Sequence, residues 1–85
     1  MELININFKE FKEEVYQKYI EIFPEEERKS LETIEKNYNK KITSFIKIAE
    51  ANKLIGFLIM NSVENTRYMQ LDYFAILPEY QNKGY

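Results

Sequence analysis

Apolar and polar positions alternate at the start of the chain. Leu3, Ile4, Ile6 and Phe8 enclose Asn5 and Asn7, a period of two that predicts a short strand over about 3–8. The two asparagines mark its other face as wet, or the strand as an edge. The period then lengthens. Phe8, Phe11, Val15, Tyr19, Ile22 and Phe23 recur every three or four residues, while Lys9, Glu10, Lys12, Glu13, Glu14 and Lys18 fill the opposite side. That stripe predicts an amphipathic helix over about 9–23 with its rings in a core. Pro24 ends it, since the residue before proline is pushed out of the helical region. Proline also suits a first helical position, so a second helix is expected over about 24–38. Glu25, Glu26 and Glu27 would form its first turn, and Leu31, Ile34 and Tyr38 its narrow apolar stripe.

From Ile42 the period returns to two. Strands are expected over about 42–50, 54–63 and 67–77, separated by the short turns "EANK" and "ENT". In the first, Ile42, Ile46 and Ile48 share one face and Thr43, Phe45 and Lys47 the other. The second contains "LIGFLIM" and is apolar on both faces, which places it centrally. The third, "RYMQLDYFAIL", has the same character and stops at Pro78. Tight turns between successive strands imply an antiparallel meander. The expected class is α+β, in the order β-α-α-β-β-β, as one domain over 1–85.

Composition narrows the chemistry more than the fold. The 85 residues contain no cysteine and no histidine. Disulfides, thiolate or imidazole metal sites and histidine acid–base steps are therefore excluded within these residues. A net charge of −2 gives no electrostatic case for a nucleic-acid partner. The longest apolar run is far too short to span a bilayer, and the first residues lack the basic start and long apolar stretch of a signal peptide. The expected location is the cytoplasm, with no membrane partner. Carboxylates, tyrosines, lysines and backbone groups remain as chemistry.

The chain closes on "FAILPEYQNKGY". Phe74, Ala75, Ile76, Leu77 and Pro78 match a hydrophobic-Ala-Ile-x-Pro pattern, and Gln81 to Gly84 match Gln-x-x-Gly. Placed after the last strand of a meander, these residues resemble the first half of the GNAT superfamily of N-acetyltransferases. "IFPEEER" between the helices is similar to one bacterial branch of that family. The resemblance implies a partial GNAT fold and acetyl-CoA as cosubstrate. It implies that main-chain groups of Phe74, Ala75 and Ile76 contact the pantetheine arm. Gln81, Asn82, Lys83, Gly84 and Tyr85 would contact the pyrophosphate, where a glycine lets backbone N–H groups approach an anion. The next small residue and helix of the motif lie beyond Tyr85, so the chain is expected to be a truncated or partial domain, weak or inactive alone.

Acetyl transfer to an amine calls for a carboxylate that takes a proton. Gln70 stands where some members of the family carry glutamate, which leaves Asp72 as the nearest carboxylate. It shares a face with Gln70 unless a β-bulge intervenes. A hydrogen-bonded strand aspartate is the alternative reading of Asp72. Glu25, Glu26, Glu27 and Arg28 fall where the family forms its acceptor site, and they read equally as charge that compensates a helix dipole. The tyrosine that protonates the leaving thiolate in the family has no counterpart here. Tyr16, Tyr19, Tyr38 and Tyr73 read as packing residues with a wet hydroxyl. A second functional reading is a non-enzymatic module that forms a homodimer, or pairs with a missing second half, through the open edge of the last strand.

Overall fold

The computed structural model of the chain describes residues 1–82. Strand β1 (Glu2–Ile6) leads to helices α1 (Phe8–Glu14) and α2 (Tyr16–Ile22), a 3-10 turn at Glu25–Glu27, and helix α3 (Leu31–Asn39). Strands β2 (Thr43–Glu50), β3 (Lys53–Ser62) and β4 (Met69–Ile76) follow, and Pro78–Tyr80 form a second 3-10 turn. All strand pairs are antiparallel, and the sheet order is β1-β2-β3-β4. This is the expected α+β class, with three helices in place of two. No helix among the described residues is long and apolar enough to cross a membrane.

The first strand stops at Ile6, two residues before the expected end, because Asn7 caps α1. The Glu10 N–H donates to Asn7 Oδ1 at 2.8 Å, and the Asn7 N–H donates to Glu10 Oε1 at 3.0 Å. This reciprocal box satisfies two amide groups that a helix start otherwise leaves open. It turns Phe8 from a strand residue into the first helical one. The helix expected over 9–23 breaks at Val15, whose φ of −116° departs from helical geometry. Main-chain bonds from Val15 to Phe11 and from Tyr19 to Val15 bridge the break, so the apolar stripe stays continuous.

The second helix begins seven residues later than expected, at Leu31 instead of Pro24. Pro24 is extended (φ −62°, ψ 153°), and Glu25–Glu27 form only one tight turn. No side chain caps the turn at Glu25, whereas Ser30 offers a cap. Its Oγ accepts the Thr33 N–H at 3.1 Å. The apolar stripe itself starts at Leu31, so cap and stripe agree.

The core lies between the helices and one face of the sheet. Phe11, Val15, Tyr19 and Ile34 pack on Ile6, Phe45, Phe57, Ile59, Ala75 and Leu77. Phe11 stacks on Phe45 with ring centroids 4.2 Å apart. Ala51 (φ 51°) and Asn52 (φ 64°) form the two-residue turn between β2 and β3, the left-handed pair that matches strand twist in a tight hairpin. The last strand, β4, has only β3 as a neighbour among the described residues. It carries Met69, Leu71 and Phe74 exposed, beside Tyr68 in the preceding loop.

Candidate functional site

One irregularity in the β3–β4 pairing and the open edge of β4 shape the candidate site. Ile59 faces Tyr73, but the next residue, Met60, faces Leu71. Asp72 is therefore the extra residue of a β-bulge, and the bulge shifts the side-chain alternation beyond it. Gln70 stands opposite Asn61 and Tyr73 opposite Ile59, so Gln70 and Tyr73 share the helix-facing side as ladder residues. Asp72 is added between them. Asp72 stays on the side of Gln70, where it meets Asn61, and the bulge brings Tyr73 onto that side as well.

The bulge aims Asp72 at the segment linking α2 to α3. Lys29 Nζ donates to Asp72 Oδ2 at 2.5 Å, and Asn61 Nδ2 donates to the same oxygen at 3.0 Å. The buried Thr43 hydroxyl holds Asn61 by donating to its Oδ1 at 2.7 Å. Every side chain in this chain of bonds donates toward Asp72, an arrangement suited to a carboxylate.

Two phenols pin the same segment to the sheet. The Lys29 N–H donates to Tyr19 Oη at 2.7 Å. The Tyr73 hydroxyl donates to the Glu27 carbonyl at 2.5 Å. The Tyr19 and Tyr73 rings meet edge to face at 4.9 Å. Burial pushes the Tyr19 phenol well above the ordinary tyrosine range, and its hydrogen bond with Tyr73 adds to the rise; the Lys29 N–H acts in the opposite sense. These two tyrosines are therefore structural latches, and Tyr19 is fully buried instead of wet at its hydroxyl.

Glu25, Glu26 and Glu27 are all exposed on their 3-10 turn, and Arg28 is half-buried. The latch brings this turn beside β4 through the Glu27 carbonyl. Arg28 Nε is buried and has no hydrogen-bond partner.

At the other end of the strand pair the register is regular. The Leu77 N–H donates to the Ile55 carbonyl at 2.8 Å. Strand alternation then points the main-chain groups of Phe74 and Ile76 away from β3, along the open edge. The Gln81 amide occupies one of them, donating to the Ile76 carbonyl at 3.0 Å. Phe74 is exposed, Ile76 half-buried and Ala75 buried. Asn82 adopts the left-handed φ of 68°. Lys83, Gly84 and Tyr85 lie outside the described residues. An edge strand with outward N–H and C=O groups fits an extended, amide-bearing arm, which needs alternating donors and acceptors.

Sequence reasoning singled out Asp72 but missed Lys29, Asn61, Thr43 and Tyr19. No local signal marks the bulge that joins them. Two concavities lie elsewhere, one lined by Ile4, Glu14 and Lys47, the other by Tyr38, Lys41 and Ser44. A family model described as the acetyltransferase (GNAT) family matches residues 11–85. Neither the curated proteins nor the solved structures compared with the chain give a match.

Proposed function

Because the chain belongs to the acetyltransferase (GNAT) family, we propose that it carries the cofactor strand and acceptor-side carboxylate of an N-acetyltransferase acting on an amine. The observation that carries this reading is the Asp72 bulge, set two residues before an open strand edge. Acetyl-CoA, when bound, supplies an acetyl thioester for an amine to attack. The main chain of Phe74 and Ile76, on either side of Ala75, holds the arm, and Gln81, Asn82, Lys83, Gly84 and Tyr85 hold the pyrophosphate. Both bonds to Asp72 end on Oδ2. The Asp72 carboxylate receives the proton of the acceptor amine. Glu25, Glu26, Glu27 and Arg28 line the approach of the acceptor, a small molecule or a peptide. The setting is cytoplasmic, without nucleic-acid or membrane partners.

A thermal-shift titration with acetyl-CoA tests the reading. Ligand at about tenfold its Kd stabilises a fold by about 1.4 kcal/mol, which raises the Tm of a domain this size by several degrees. No shift at millimolar acetyl-CoA overturns the proposal.

The exposed Tyr68, Met69, Leu71 and Phe74 favour a second reading, a non-enzymatic module that pairs through the β4 edge with another copy or a second-half chain. Sedimentation equilibrium separates the two. A monomer at all concentrations, unchanged by added partner, ends the second.

A further inference from the structure

The Lys29–Asp72 pair has a property that the transfer reaction does not require. The group closest to the candidate acceptor carboxylate is itself a primary alkylammonium. It comes from the segment that the proposed function assigns to the acceptor approach. We propose that Lys29 is an internal competitor for the acceptor. Its ammonium occupies the place on Asp72 that the acceptor's ammonium takes, and it withdraws when the acceptor binds. The inference rests on the reading of Asp72 as the acceptor-side carboxylate.

Three observations carry it. The first is anchoring: the Lys29 N–H is tied to the buried Tyr19 hydroxyl at 2.7 Å. The main chain stays in place while the four-carbon stem is free to swing. The second is access. The side chains of Lys29 and Asp72 are 36% and 25% exposed, so water reaches both charges and a small amine can do so too. The third is charge. While Lys29 is bonded, the pair is neutral and offers a second cation no net attraction. Once Lys29 withdraws, Asp72 keeps the Asn61 hydrogen bond at 3.0 Å and remains an oriented anion. A partly exposed ion pair is weak enough to exchange, and its competition lowers acceptor affinity by up to about fivefold.

The test is a 1H–15N NMR titration of the full chain with n-butylammonium, comparing wild type, Lys29→Met and Lys29→Met/Asp72→Asn. Methionine keeps the apolar stem, and the Tyr19 bond uses the main chain, so the fold is retained. Lys29→Ala serves as a second variant with more room. The expected result is binding up to about fivefold tighter in both single variants, with shifts centred on Asn61 and Asp72. The gain should vanish in the double variant, and n-butanol should not reproduce it. Equal or weaker binding by the single variants overturns the proposal, as does a gain that survives Asp72→Asn. A separate acetyl-CoA titration distinguishes this failure from that of the transferase reading. Acetyl-CoA binding without the ammonium gain removes the role of Lys29 alone. An ammonium gain without acetyl-CoA binding removes the transferase reading, and with it the acceptor role of the site.

Discussion

Gly56 leaves no room for a side chain against β4, and Gly56→Ala tests how the candidate strand is held. A Cβ at residue 56 would lie 2.3 Å from the Ala75 carbonyl oxygen, against about 3.4 Å for ordinary contact. It would also lie 3.1 Å from Ile76 Cδ1 and 3.2 Å from Ile76 Cα. The side-chain contact is relieved by a rotation. The carbonyl contact is not, because the strand itself must move by about 1 Å. Overpacking of this kind costs about 1–3 kcal/mol. Removing a strand glycine returns about 0.5–1 kcal/mol of backbone entropy. The net expectation is a loss of about 1–2 kcal/mol, or a fall in Tm of about 5–15 °C for a domain of this size. Urea unfolding followed by circular dichroism measures it, with an unchanged slope and a lower midpoint. The double variant Gly56→Ala/Ile76→Val removes only the side-chain contact and should recover little. Wild-type stability in Gly56→Ala, or full recovery in the double variant, would refute the reasoning.

Three further outcomes are expected. Tyr19→Phe leaves the Lys29 N–H without its acceptor and should cost about 1–3 kcal/mol by chemical denaturation. The same variant tests the raised Tyr19 phenol. The unfolded phenol loses its proton near pH 10 while the folded one keeps it, so the unfolded state binds fewer protons and wild-type stability falls as pH rises above that value. The slope approaches about 1.4 kcal/mol per pH unit for one group, and Tyr19→Phe should lack that component. Asn7→Ala removes the side-chain half of the α1 capping box and should lower stability by about 1 kcal/mol in the same assay.

The meander was legible because period-two runs separated by short polar turns leave few alternatives. The α1–α2 stripe was legible from its spacing of three and four, with Phe11, Val15 and Tyr19 buried as that spacing implied. The helix boundaries were misjudged where two rules competed. Pro24 suits a helix start, yet Ser30 caps one closer to the first stripe residue. Asn7 reads as a strand position until Glu10, three residues on, is seen as its capping partner. The site was legible only in part. Asp72 stood out as the one carboxylate on β4, but its partners come from distant segments. Lys29 is 43 positions away and Asn61 is 11. A bulge joins them, and a bulge depends on how two strands pair instead of on either strand alone. Tyr19 and Tyr73 looked like ordinary packing rings, since nothing local shows that their hydroxyls hold the α2–α3 segment.

The open edge of β4 is proposed to hold acetyl-CoA, with Asp72 beside the acceptor. Mapping backbone amide shifts during an acetyl-CoA titration of the 85-residue chain tests it most directly. Saturable shifts concentrated at 74–76 and 81–85, fading toward α3, are the expected result. Shifts centred on the Tyr38–Ser44 concavity, or none at millimolar ligand, would contradict it.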